Sequence, residues 1–186
     1  EQLITSIYEQ IHKLLDVATV CGFDTNLWHN YLTYLLVSCE NPFSITCEKE
    51  GACVGSVNQF AKSDFAIFKK LFDYDFSEME KELGINCFSV ISNYHSIKKS
   101  ERRYNKNISE RVQELSAAIE KAADENEIFD LVTGFYKAYG VGKLGLNKAF
   151  RIVHEENGVE LVPISNTAYV DFDDLIGYEL QKQRLM

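Results

Sequence analysis

Residues 3–18 read LITSIYEQIHKLLDVA, and this stretch carries the clearest helical pattern in the chain. Its apolar side chains recur every three or four residues, so they form one stripe while the charged side chains occupy the other faces. The stripe consists of Leu3, Ile4, Ile7, Ile11, Leu14, Leu15 and Ala18. Cys21-Gly22 marks the end of this predicted amphipathic helix.

A second helix is predicted after a short turn, over residues 27–39, because its apolar side chains again have helical spacing. Asp24 belongs to the residue types that cap helix N-termini, and we expect it to cap this helix. The buried face comprises Leu27, Trp28, Tyr31, Leu32, Leu35, Leu36 and Cys39. The two helices should form an antiparallel hairpin.

Two shorter helices have recognisable start signals. Asn41-Pro42 starts one of them, since proline is favoured in the first helical turn. Asp75 with Glu78 three residues later has the spacing of a capping box, which predicts a brief helix that ends at Gly84.

Between these two lies an aromatic-rich helix, and its phenylalanine spacing predicts core positions. The predicted core residues are Phe60, Phe65, Phe68, Leu71 and Phe72. The apolar run Ile85–Ile91 further along the chain is compatible with either a strand or a helix.

A polar, basic segment follows at residues 98–106, KKSERRYNK, which we interpret as a linker or an exposed loop. Its basic residues are Lys98, Lys99, Arg102, Arg103 and Lys106. Tyr94 and Tyr104 flank them, and this combination of charge and stacking groups is what a single-stranded nucleic acid or a phosphate contact uses. A solvated linker is the favoured interpretation.

Two more helices are predicted after this segment. Asn107 with Glu110 and Asp124 with Glu127 mark their starts, and Gly140 closes the second. From residue 148 the character changes, because two β-rich runs, 149–153 and 159–164, flank Asn157-Gly158. That arrangement predicts a β-hairpin.

These elements together predict a mainly α fold. Residues 1–97 form a bundle-like helical domain, and residues 98–106 form the basic linker. Residues 107–147 form a second helical subdomain or a continuation of the first. A small β-hairpin over 148–167 then leads to a further segment, 168–186.

Composition narrows the functional classes. The 186 residues are 46% hydrophobic and 25% charged, which is typical of a globular protein. A net charge of -9 disfavours generic nucleic-acid binding. No segment has the roughly 20 apolar residues of a membrane span, and the start lacks the layout of a signal peptide. We expect no membrane association.

The cysteines and histidines give no metal or catalytic signature. The five cysteines include no CxxC pair, which argues against a zinc cage and a disulfide framework and favours the cytoplasm. An enzyme with a Cys/His site assembled by folding remains an alternative. The acidic clusters Asp73/Asp75 and Asp171/Asp173/Asp174 adjoin helix starts, where carboxylates cap, so we interpret them as caps rather than metal ligands.

One glycine-rich run invites comparison with a phosphate-binding loop. Gly140-Val141-Gly142-Lys143 ends in lysine as such loops do, but Lys137 stands where the first glycine is required and Leu144 where serine or threonine is required. It also follows a helix, so we expect a helix-terminating loop.

The C-terminal segment carries a more specific pattern. Residues 169–183, YVDFDDLIGYELQKQ, place an aromatic, acidic residues, an aliphatic pair and a glycine before a helix-like run. With GKLGLNKAFRI at 142–152, it resembles a family of uncharacterised bacterial predicted AAA+ ATPases that carry a helical N-terminal region. The resemblance is specific over 143–186 and loose before it.

The resemblance implies that residues 168–186 are the start of an AAA+ domain, cut before the Walker A motif. Leu175, Ile176 and Gly177 would then contact adenine in the full-length protein, with Asp173 or Asp174 holding the next helix. ATP and Mg would bind only there, so the fragment is expected to contain no cofactor and not to be an enzyme. Its expected role is an accessory domain that binds a protein partner or substrate or regulates assembly, with homo-oligomers forming through the missing AAA+ domain.

Overall fold

The computed structural model describes residues 2–52, 54–96, 106–147, 149–155 and 158–164. Within them the chain is mainly helical, with one small antiparallel hairpin, as predicted. The elements are α1 (Gln2–Cys21), α2 (Leu27–Ser38), α3 (Pro42–Glu50), α4 (Val57–Phe72), α5 (Ser77–Leu83), α6 (Cys87–Ser92), α7 (Lys106–Lys121), α8 (Glu125–Tyr139), α9 (Gly142–Leu146), β1 (Phe150–Glu155) and β2 (Gly158–Pro163).

The first helix forms where the apolar stripe predicts it. Ile11, Leu14 and Ala18 are buried, and Gly22 takes a φ of 69° immediately after the helix ends. That left-handed conformation is costly for residues with a Cβ atom, so glycine is suited to this position.

The residue that caps α2 differs from the predicted one. Asn26, not Asp24, accepts the hydrogen bond from the backbone N–H of His29. The Asp24 carboxylate instead accepts from the N–H groups of Thr25 and Ser96, both at 2.9 Å. It thereby supports the isolated bridge between Thr25 and Tyr94, which holds the end of the 54–96 segment against the start of α2.

Helices α5 and α7 also begin differently from the sequence prediction. The Asp75 carboxylate accepts from both the N–H and the hydroxyl of Ser77, so α5 begins at Ser77 and the predicted box with Glu78 does not form. Helix α7 begins at Lys106, which places Asn107 inside the helix rather than at its cap.

The remaining local signals are confirmed. Asn41 and Ser44 form a reciprocal capping box at the start of α3. Asp124 accepts hydrogen bonds from the N–H groups of Asn126 and Glu127 at the start of α8, and Gly140 ends that helix with a φ of 81°. The ambiguous run 85–91 is helical from Cys87 onward, where it forms most of α6.

Helices from both sides of residues 97–105 share one hydrophobic core. Helix α2 packs against α1, α6 and α7, and α8 packs against α3 and α4. The most deeply buried side chains include Leu27, Val37, Phe72, Val112, Ile119, Ile128, Val132 and Tyr136.

The predicted β-hairpin is present, with a longer first strand than expected. β1 extends to Glu155, which pairs with Gly158, so residues 156 and 157 connect the strands and Gly158 belongs to β2. Ile152, Val159 and Leu161 are exposed on this hairpin. None of the helices in the described ranges combines the length and the hydropathy that a membrane crossing requires.

Candidate functional site

Helix α4 has two apolar faces, and only one of them is covered. Ala61, Phe65 and Phe72 are buried against the rest of the protein. Four large side chains on a second face are exposed to solvent: Val57 (58%), Phe60 (74%), Ile67 (65%) and Leu71 (45%). Phe60 and Leu71 were predicted to lie in the core, and that prediction is wrong.

Helical geometry explains how one helix carries both faces. Successive residues are about 100° apart, so Val57, Phe60, Ile67 and Leu71 fall within an arc of about 80°. The centre of this arc lies about 100° from the centre of the buried face. Helices α8 and α2 cover the buried face, and the adjacent arc stays open. We call these four residues together with Asp64, which lies in the same arc, the α4 stripe.

The α4 stripe continues into a cavity at its N-terminal end. Val57 lines this cavity of about 290 Å³ together with Phe43, Cys47 and Val54. A cavity of this kind beside an exposed apolar face can receive one anchoring side chain of a bound partner.

At the C-terminal end of the stripe, aromatic contacts hold the backbone. The indole N–H of Trp28 donates to the carbonyl oxygen of Leu71 at 3.1 Å. The Trp28 ring also meets the edge of Phe76, with ring centroids 5.2 Å apart. The last turn of α4 is therefore fixed to α2.

Two lysines anchor α4 to the helices behind it. Lys69 pairs with Asp73 at 3.0 Å, and its ammonium group also donates to the carbonyl oxygens of Ile119 and Glu120, both at 3.3 Å. These are the last carbonyls of α7, where a positive charge is favourable. Lys62 binds the side chain of Asn126 at 2.9 Å. The α4 stripe thus lies on a helix that is held in its second turn and at its C-terminal end.

His29 lies behind this helix rather than on the stripe. Its ring stacks on Phe72 with centroids 3.8 Å apart, and its Nε2 lies 3.0 Å from the Phe72 carbonyl oxygen. Nδ1 is 4.0 Å from the Glu120 carboxylate. Burial lowers the pKa of His29, although Glu120, the Phe72 carbonyl and Asp73 act in the opposite direction. The neutral ring is therefore favoured in the fold.

The buried cysteines have the properties of core residues. Burial raises the pKa of the Cys21 thiol to about 11 and also raises that of Cys87. Both thiols are therefore protonated at neutral pH, and a protonated thiol is a weak nucleophile and a poor metal ligand. Among the described residues, no group of three or more His, Cys, Asp or Glu side chains could hold a metal ion.

The glycine-rich loop after α8 does not fit a phosphate. The N–H of Val141 donates to the Glu48 carboxylate at 3.2 Å, so an internal anion already occupies the position that a bound phosphate would need. A Cβ atom at Gly145 would overlap the backbone of Gly140, which shows how closely the two glycines pack. The predicted helix-terminating loop is confirmed.

The other predicted site residues are mostly outside the part of the chain that the structure describes. This applies to the adenine-contact residues Leu175, Ile176 and Gly177 and to the basic residues Lys98, Lys99, Arg102 and Arg103. Lys106 is the first residue of α7. Asp171, Asp173 and Asp174 are outside as well, whereas Asp73 and Asp75 have the partners given above.

Comparisons with protein-family models, curated proteins and solved structures give no match.

Proposed function

We propose that this chain is a protein-binding module and that the α4 stripe docks an α-helix of its partner. The observation that carries the proposal is the exposure of four large apolar side chains on one face of an anchored helix. Clusters of exposed large apolar side chains often mark sites of protein–protein interaction. The residues of the stripe are spaced at i, i+3 and i+7. Side chains at this spacing are the anchors by which helices dock into grooves and against one another.

The size of the stripe suits a reversible partner. From Val57 to Leu71 it extends about 21 Å, which matches a partner helix of about four turns. Fully burying one such side chain contributes about 1.5–3 kcal/mol, so covering the four partly exposed ones contributes on the order of 4–7 kcal/mol before the costs of association. A partner must add contacts, such as an anchor in the cavity beside Val57, to bind tightly.

We further propose that the module belongs to a bacterial AAA+ ATP-binding protein, as an accessory or regulatory N-terminal region. The resemblance of residues 143–186 supports this setting. Leu175, Ile176 and Gly177 would then contact adenine, while ATP and Mg would be held by the remainder of the full-length protein. The module itself contributes recruitment of a protein and no catalytic step.

A site-specific photo-cross-linking experiment tests the docking surface. A benzophenone amino acid at position 60 should cross-link to a partner in cells of the source organism, whereas the same probe at the adjacent exposed Gln59 should not, because Gln59 lies about 100° around the helix. Ile67→Ser should abolish the cross-link from position 60. Equal cross-linking from both positions, or insensitivity to Ile67→Ser, would show that the stripe is not the docking surface.

The AAA+ setting has a separate test. The parent reading frame beyond residue 186 should encode a glycine-rich loop that ends in Gly-Lys followed by Ser or Thr. A reading frame without that motif would remove the AAA+ setting and leave the protein-binding proposal in place.

A further inference from the structure

Asp64 interrupts the α4 stripe at its midpoint. Phe60 and Val57 precede it by four and seven residues, and Ile67 and Leu71 follow it by three and seven. Asp64 is exposed, like its apolar neighbours. Among the described residues, lysine forms ion pairs with Asp73 and Glu160, and neither pair includes Asp64.

We infer that the partner helix carries a lysine or arginine in the middle of its own apolar seam, facing Asp64. This inference rests on the proposed function, because it concerns what covers the same stripe. A carboxylate at the centre of an apolar seam loses water when the seam is covered. Its desolvation is costly unless a positive charge takes the place of the lost water. The same requirement gives the site its selectivity, because a partner with an apolar or acidic residue there leaves the charge unpaired.

A second copy of this chain does not meet that requirement. Residue 64 is the midpoint of the range 57–71. Two α4 helices that pair along the full stripe therefore place Asp64 opposite Asp64, both in a parallel in-register pair and in an antiparallel pair about a two-fold axis. Like charges at a covered seam oppose association. Shifting the register by one heptad separates the carboxylates but leaves about half of each stripe uncovered.

Two designed peptides test the inference. Each is an 18-residue helix with a leucine seam at alternating spacings of three and four residues, and they differ only in the central seam residue, which is lysine in one and glutamate in the other. In a fluorescence-anisotropy titration, the lysine peptide should bind the wild-type protein at least tenfold more tightly than the glutamate peptide. Asp64→Lys should invert the preference, and Asp64→Asn should abolish it.

A matched variant controls for net charge. Glu82 is exposed on α5, so Glu82→Lys makes the same change in total charge at a position that is not part of the stripe. It should leave the preference for the lysine peptide unchanged. If Glu82→Lys inverts the preference as Asp64→Lys does, the discrimination comes from overall charge and the inference is wrong.

The outcomes of these experiments distinguish a failure of the inference about Asp64 from a failure of the proposed docking function. Equal binding of both peptides, with loss of binding in Phe60→Ser, would overturn the role of Asp64 and leave the stripe as the docking surface. Peptide binding that is insensitive to Phe60→Ser would overturn both. Sedimentation should show that the wild-type protein does not dimerise through the α4 stripe. A wild-type dimer that Phe60→Ser dissociates would identify a second copy of the chain as the occupant of the stripe instead.

Discussion

The phenolic hydroxyl of Tyr136 donates to the carbonyl oxygen of Leu36 at 2.9 Å, across 100 positions of sequence. Leu36 lies in the last turn of α2, where carbonyl groups have no partner within the helix. Tyr136 is 2% exposed and Leu36 is partly buried, so the bond is largely shielded from water. A buried side chain of α8 thus supplies a hydrogen bond to a backbone carbonyl at the end of α2.

Tyr136→Phe should lower the free energy of unfolding by about 1–2 kcal/mol, because it removes the donor of the partly buried Leu36 carbonyl. Tyr139→Phe makes the same chemical change three residues later on a side chain that is 43% exposed, and it should change stability by less than about 0.5 kcal/mol. Urea unfolding of both variants measures the difference. Equal losses would show that the Leu36 carbonyl does not depend on Tyr136.

A second prediction concerns the pH dependence of stability at His29. Burial is the largest influence on its lowered pKa, while the charges that face it are Glu120, Asp73 and Lys69. The unfolded chain therefore takes up a proton first as the pH falls below the ordinary histidine pKa of about 6.5. The stability contributed by neutral His29 is complete above that pH and is lost between it and the lower pKa of the folded state.

His29→Gln should consequently reduce the loss of stability between pH 7.5 and pH 5. Urea midpoints at the two pH values measure this loss, and His12→Gln, a change at an exposed position on α1, serves as the control. An identical pH dependence in wild type and His29→Gln would show that another group is responsible.

Much of the fold follows from local sequence signals. The stripe over residues 3–18 predicts α1, Asp124 and Gly140 mark both ends of α8, and the two β-rich runs around Asn157-Gly158 predict the hairpin. The cap of α2 could not be chosen from sequence, because Asp24 and Asn26 are both good capping residues. Pairing of Thr25 with Tyr94, which is a tertiary contact, directs the Asp24 carboxylate elsewhere.

The candidate site was harder to predict, for a related reason. Helix α4 carries two interleaved apolar sets, one containing Phe65 and Phe72 and the other containing Phe60 and Leu71. Both have helical spacing, and sequence does not show which set the other helices cover. Asp64 was the available signal, since a charge in the middle of one set is unusual for a core face.

The close packing of two glycines provides a third prediction. Gly145→Ala should destabilise the protein by about 1–3 kcal/mol, because the new methyl group would overlap the backbone of Gly140, which cannot move aside as a flexible side chain would. Gly134→Ala is the matched control, since open space surrounds Gly134 within α8. It should stabilise the protein by roughly 0.5–1 kcal/mol through helix propensity. Thermal unfolding that ranks the two variants in the opposite order would contradict the contact.

A fourth prediction concerns the proposed AAA+ setting and applies to the longer ATP-binding protein that this proposal implies. Gly177→Val should weaken ATP affinity at least tenfold, or about 1.4 kcal/mol, because glycine would let the backbone approach the base closely. The thermal stability of the helical region should stay unchanged. Normal ATP binding by this variant in a calorimetric titration would mean that the adenine assignment, and with it the main support for the AAA+ setting, is wrong.

The last prediction compares two phenylalanines on α4. Phe65 is 5% exposed and meets the rings of Phe43 and Phe129 at centroid distances of 6.4 and 6.2 Å, whereas Phe60 is 74% exposed. Phe65→Ser should therefore lower the free energy of unfolding by about 3–5 kcal/mol, since it removes a buried ring and introduces a hydroxyl into the core. Phe60→Ser should change it by less than about 0.5 kcal/mol, because the ring it removes is already largely in water.

Urea unfolding of these two variants decides whether the α4 stripe is free to bind. If Phe60→Ser destabilises the protein as strongly as Phe65→Ser, Phe60 is part of the folded core, and the exposed face on which the docking proposal depends does not exist. If Phe60→Ser leaves stability unchanged, the variant tests binding separately from folding. Any loss of partner binding that it causes then reflects the docking surface rather than unfolding.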